Sequence, residues 1–281
     1  MITRFDHVVI AVQDLDAALA DYTRLGFDVS AGGRHPSLGT HNAIVRFGLD
    51  YIELLAIEDQ DVARARGAFG VDLARFLATG NGLVGFALAS AGLEDEAHGL
   101  ARIALAAEGP FAMERQRPDG RTLAWRLVLP GASPWRKPWP FLIEWATPDA
   151  ERLLWDPVGA HGNGVCGVRA IDLLVADVSE AVGLYEDAWG LTADRLGDSA
   201  SARSYQLGTF LLHVHSSADD ATRNELKSRG PGPWRVHLAT PSVDASAAWL
   251  RRAGVSFELG AGYIDIAPEE AQGARLRLVT A

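Results

Sequence analysis

The sequence predicts an α+β fold assembled from four copies of a βαβββ module. Three observations carry that reading. Short apolar strands and one amphipathic helix recur in the same order along the chain. An aspartate start and a glycine stop recur around the helix. The first and last strands are also similarly spaced, from His7 to Glu53, Ala170 to His213 and His237 to Arg277. The interval from Gly85 to Glu144 is longer, and a proline-rich insert at 130–140 accounts for the excess.

The first copy opens at 5–12, an apolar, β-branched stretch that reads as a buried strand. Asp14 starts a helix with Leu15, Ala18, Leu19, Tyr22 and Leu25 at helical spacing, and Gly26 stops it. Phe27 opens a second strand, and 43–47 and 51–57 are two more. The second copy places strands at 83–90, 111–115, 122–129 and 140–146, with a helix at 93–106. Its insert carries Trp135 and Trp139 and is expected to cover a sheet edge, or else to form an aromatic wall or lid. The third copy has a strand at 171–175, a helix from Asp177 to Gly190, and strands at 204–207 and 210–215. The fourth has a strand at 236–240, a helix at 243–252, and strands at 263–266 and 274–279. Segment 59–80 links the first two copies and holds a helix candidate at 71–77. Segments 147–164 and 216–233, rich in Gly, Pro or polar residues, read as connections.

Composition narrows the function. The chain has 281 residues, 48% of them apolar and 22% charged, as in ordinary globular proteins, which fits one large domain or two smaller ones. A net charge of −10 and the lack of a basic run argue against nucleic acid as a partner. No apolar run approaches the roughly 20 residues of a membrane helix. The first residues show no apolar signal region. One cysteine, Cys166, rules out an internal disulfide framework and a Cys-rich zinc site, so a reducing, cytoplasmic setting is expected. Gly-x-Gly patterns at 80–82 and 162–164 lack the strand-to-helix setting of a nucleotide loop, and the serines at 197–201 lack a nucleophile elbow. A small-molecule substrate or ligand is the remaining partner. Whether the modules pair within the chain or across a homodimer is open at this point.

Four runs are more specific. They are Phe5-Asp6-His7-Val8-Val9-Ile10-Ala11-Val12 with its following Asp14-Leu15-Asp16, Gly33-Arg34-His35-Pro36 with Gly39-Thr40-His41-Asn42, Tyr51-Ile52-Glu53-Leu54-Leu55, and Pro140-Phe141-Leu142-Ile143-Glu144-Trp145. With the repeated module, these runs resemble the vicinal oxygen chelate superfamily, in its glyoxalase-like branch. The resemblance is clear up to about Pro148 and holds only at module level from Val168 onward.

The resemblance implies that modules pair into cupped mixed sheets, giving one glyoxalase-like domain over 1–150 and a second, degenerate one over 165–281. On the first strand His7, Val9 and Ala11 share a face, and on the last strand Tyr51, Glu53 and Leu55 do. A carboxylate at Glu53, amid apolar residues, is costly to bury unless paired or metal-bound. Glu144 stands at the corresponding place in the second copy. The family's metal-binding strand positions thus carry His7, Glu53 and Glu144, while the fourth falls at Val84-Gly85-Phe86 and offers no ligand. The implied cofactor is a divalent ion (Zn, Mn, Fe or Ni) or none. Glu53 or Glu144 would serve as the base, and His35, Thr40, His41, Asn42 and Trp145 would contact substrate. The alternative for the glutamates is pairing with Arg46 or Arg126.

Two functions follow as expectations. One is a metal-dependent lyase, isomerase or dioxygenase acting on a small oxygenated substrate. The other is a non-catalytic binder, like the drug-sequestering bleomycin-resistance members. The C-terminal pair, with Ala170, His213, His237 and Arg277 at the corresponding positions, is expected to lack a carboxylate and to serve as a structural or dimerising partner.

Overall fold

The computed structural model describes residues 1–117, 119–131, 133–193 and 201–281; of the serines at 197–201, Ser199 lies outside them. The first module is β1 (Ile2–Ala11), α1 (Leu15–Arg24), β2 (Val29–His35), β3 (Thr40–Arg46) and β4 (Tyr51–Ile57). Two helices, α2 (Gln60–Ala65) and α3 (Ala68–Leu77), lead to the second module. That module is β5 (Gly82–Ser90), α4 (Leu93–Arg102), β6 (Ala107–Gln116), β7 (Thr122–Pro130) and β8 (Phe141–Trp145). These strands form one eight-stranded mixed sheet, in the order β2-β3-β4-β1-β5-β8-β7-β6. The two modules therefore pair within the chain, through antiparallel β1 and β5.

Helix α5 (Asp149–Trp155) crosses to the second half, which holds β9 (Gly167–Val175), α6 (Val178–Val182) continued by a π-helical stretch at Gly183–Ala188, β10 (Ala202–Leu207) and β11 (Phe210–Ser216). Then come α7 (Asp220–Arg229), β12 (Gly232–Thr240), α8 (Val243–Arg252), β13 (Phe257–Gly260), β14 (Tyr263–Ile266) and β15 (Leu276–Thr280). Their seven strands form a second sheet in the order β10-β11-β9-β12-β15-β14-β13.

The helix starts are set by side chains that accept a bond from the first free amides. Asp14 accepts from the Ala17 amide, Asp177 from Ser179 and Ser242 from Ala245. Segment 216–233 is more than a surface connection: Asp219 and Thr222 close a capping box that starts α7 inside it.

One apolar core joins the two halves. It takes Val8, Ile10 and Val12 from β1, Tyr22 from α1, Leu184 and Tyr185 from the π-helical stretch, and Val236 and Leu238 from β12. Phe5 stacks on Phe210 of β11 at 4.4 Å, and the Tyr22 hydroxyl donates to the Ala271 carbonyl at 3.2 Å. Helices α1, α4, α6 and α8 pack on this side of the sheets. The other face of the first sheet carries a smaller apolar cluster, in which Val9, Ala11 and Leu55 meet Leu73 and Phe76 of α3 and Trp135 of the insert. That face is the cup.

Candidate functional site

Strand alternation aims one set of side chains into the cup. From β3 come Thr40, Asn42, Ile44 and Arg46; from β4, Tyr51, Glu53 and Leu55; from β8, Phe141, Ile143 and Trp145. Met113 and Arg115 of β6, Trp125 and Leu127 of β7, Phe69 of α3 and Trp135 complete the wall. The open space between these side chains is about 660 Å³, solvent at its mouth included.

His7 sits at the floor, 3% exposed and stacked on Tyr51 at 4.5 Å. Its Nε2 faces Glu53 Oε2 at 3.6 Å. Asn42 fixes Glu53 from the other side, donating from Nδ2 to Oε1 at 2.5 Å. His35 pairs through Nδ1 with the Thr40 hydroxyl at 3.0 Å, and burial pushes its pKa below the ordinary histidine value.

His7 Nδ1 meets a partner that strand alternation hides. Asp6 precedes it in sequence and should face the other way. However, the β1–β5 register pairs Phe5 with Leu88 and His7 with Ala87, so Asp6 is the extra residue of a β-bulge. The bulge leaves the fully buried Asp6 carboxylate 2.7 Å from His7 Nδ1. The same carboxylate pairs with Arg4 at 2.8 Å, accepts from Trp145 Nε1 at 2.9 Å, and lies 4.0 Å from Arg152. Arg152 in turn rests over the Trp145 ring, 3.6 Å from its centroid. Burial alone would raise the Asp6 carboxyl, but the His7 bond and the charges of Arg4, His7 and Arg152 hold it well below the usual carboxylate range. Asp6 is thus a buried anion that orients the imidazole.

The structure brings His7, Glu53, His35, Thr40, Asn42 and Trp145 to one cavity. It does not bring Glu144 or His41 there. On β8 the cup-facing residues are Phe141, Ile143 and Trp145, so Glu144, one residue out of step, faces the helix side. There it pairs with Arg126 at 2.6 Å, its cross-strand neighbour, and accepts from the Leu93 amide at 3.2 Å. Helix α4 has Gly92 at its N-cap and no side-chain cap of its own; Glu144 supplies the missing acceptor and sets a negative charge at the helix start. His41 sits between the inward Thr40 and Asn42 on β3 and points away from the cup. The expected loop at 34–42 is largely the β2–β3 hairpin. Arg46 lines the cavity but pairs with Asp156 at 3.5 Å rather than with Glu53.

Glu144→Ala should therefore lower stability by about 1 kcal/mol, the worth of a cap, and leave ligand binding in the cup unchanged. Urea unfolding and a binding titration of the same variant check both halves of that statement.

The donor set does not fit a three- or four-ligand cation site. The first module offers His7 and Glu53, with His35 engaged through Nδ1 by Thr40; the second offers Ile143 and Trp145 on β8 and Gly85 on β5. A side chain at Gly85 would press on the insert, since a Cβ there would lie 3.1 Å from the Trp135 ring and 3.2 Å from the Pro134 carbonyl, and either neighbour would have to give by a few tenths of an ångström. Trp135 is buried, and its Nε1 donates to the Phe69 carbonyl at 2.9 Å. The insert is an aromatic wall seated where a ligand would have to stand. Among the described residues, no group of three or more His, Cys, Asp and Glu side chains is placed to hold a metal ion.

In the second sheet, sequence reasoning missed a carboxylate. Asp172 of β9 lies 3.0 Å from His237 Nε2, and His213 Nδ1 pairs with the Ser204 hydroxyl at 2.9 Å. Arg277 is engaged by Asp265 through both its Nε and Nη2.

Comparison with known proteins places these observations. The family described as "Glyoxalase-like domain" matches residues 5–189. A hypothetical protein from Staphylococcus aureus has a similar structure, with a TM-score of 0.72 and 16% identity, over 100% of both chains. A mutant of 4-hydroxymandelate synthase from Streptomyces coelicolor superimposes with a TM-score of 0.61 at 12% identity, over 99% of this chain and 92% of that one. A fusion of a xylose isomerase-like TIM barrel with a 4-hydroxyphenylpyruvate dioxygenase gives 0.58 at 16% identity, and this chain spans 49% of its length. None of the curated proteins compared matches the sequence.

Proposed function

This chain belongs to the glyoxalase-like domain family, and from that premise we propose that its N-terminal cup binds a small, largely apolar organic molecule without a metal ion. The split of the donor set carries the reading. His7 and Glu53 face a cavity whose opposite wall is Phe141, Ile143, Trp145 and a Trp135 ring over Gly85. Such a cup is apolar on most sides, with a few polar groups to fix orientation, as small-molecule sites are.

Tryptophan fluorescence provides the test, because Trp125, Trp135 and Trp145 line the cavity. Protein exhaustively treated with a chelator should bind aromatic compounds as tightly as untreated protein. Elemental mass spectrometry after incubation with Mn, Fe, Ni or Zn should find no stoichiometric ion. An ion retained by this protein and lost in His7→Ala and Glu53→Ala would overturn the reading and restore a metal-dependent enzyme.

One observation favours a catalytic extension of the same site. Asp6 behind His7 and Glu53 before it form an Asp–His–carboxylate line opening into the cavity. With Nδ1–H donated to Asp6, Nε2 presents a lone pair that can take a proton, and Glu53 can take or return one beside it. Solvent deuterium would then enter acidic C–H positions of bound carbonyl compounds, and Glu53→Gln would stop it. Absence of exchange above the buffer rate leaves the cup as a binding site only.

A further inference from the structure

Resting on that reading of the cup, we propose that the molecule it takes is a monocarboxylic acid with a flat apolar body, its carboxylate held by Arg115. Arg115 projects from β6 into the cavity with its side chain 6% exposed. Its Nε has no hydrogen-bond partner among the described residues. Its nearest carboxylate, Asp156 Oδ2, lies 3.8 Å away, beyond hydrogen-bond reach. Asp156 is already divided: Arg46 approaches the same oxygen at 3.5 Å and Arg117 pairs with the other. One carboxylate therefore serves three guanidinium groups.

A buried, under-satisfied guanidinium costs free energy. Burial accordingly pushes the Arg115 pKa below its ordinary value. A ligand carboxylate would supply the missing acceptor, in the fork geometry that arginine offers. Glu53 in the same cavity sets the limit on ligand charge, since a dianion would be repelled where a monoanion is balanced. Trp125 and Trp145, tilted against each other at 5.4 Å, and Trp135 provide faces for a flat body.

The test compares benzoate, phenylacetate and 2-naphthoate with their primary amides and with naphthalene, by calorimetry and tryptophan quenching on the intact protein. The acids should bind about tenfold to a hundredfold more tightly than the amides, the worth of a hydrogen bond to a charged group. Arg115→Met should abolish that preference, and Arg115→Lys should keep part of it. If Arg115→Met does not fold, the acid-to-amide ratio of the unmodified protein decides alone. Equal affinity for acid and amide overturns the carboxylate proposal while leaving the cup as an apolar site. Failure of acids, amides and naphthalene alike overturns both.

Discussion

Asp6→Asn should cost about 3–5 kcal/mol of stability, the usual penalty for removing one partner from a buried charge network. The amide keeps the shape of the carboxylate but not its charge. Arg152, with a side chain 2% exposed, would lose a buried counter-charge, and Arg4 and His7 would lose short contacts. The Asp6 contribution to the deficit should be fully present above about pH 4. Below that it should shrink, for a stated reason: the folded-state pKa of Asp6 lies below its ordinary value of 3.8. Its stabilisation is therefore fully present above the ordinary value and is lost as pH falls through the folded one. Urea midpoints of the two proteins from pH 7 to pH 3 measure the difference. A loss under about 1 kcal/mol, within the range of a surface ion pair, would mean that water reaches the network and that Asp6 does not hold His7.

The second large effect belongs to Arg136, which bonds the aromatic insert to the second half of the chain. Its guanidinium donates to the carbonyls of Pro233 at 2.6 Å, Gly230 at 2.7 Å, Arg229 at 3.3 Å and Leu83 at 3.4 Å, and pairs with Glu225 at 3.2 Å. Burial pushes its pKa down to about 10, so it remains charged at neutral pH. Arg136→Met preserves much of the volume but strands several carbonyls at once. The expected cost is on the order of 3 kcal/mol, since each bond to a charged donor exceeds a neutral one. Hydrogen exchange should also quicken at the start of β12 and in the residues flanking Trp135. Unchanged exchange there, with a small shift in melting temperature, would show that apolar packing alone seats the insert.

The module order was legible because each module is written locally. The helix over 243–252 and the strand over 263–266 stand where periodicity and turn residues put them. Half of the cup was legible for the same reason: alternation aims His7 and Glu53 correctly. Alternation failed where the backbone breaks step. Asp6 is displaced by a bulge, which leaves no periodic trace in one strand because it exists only in the pairing with β5. Glu144 failed through register, since one residue decides its face and only the inward Ile143 and Trp145 reveal it. Arg115 gave no signal at all. An arginine at the end of a strand reads as solvated until the fold closes over it.

The seating of Trp135 on Gly85 also bears on what this sequence can become. A side chain at position 85 would have to push the indole and the Pro134 carbonyl back by a few tenths of an ångström, and removing the indole instead leaves a void against Phe69 and Phe141. A cation centre would also need a further change on β8, where Ile143 faces inward. Packing of the insert thus couples any change at Gly85 to Trp135 and to its two aromatic neighbours.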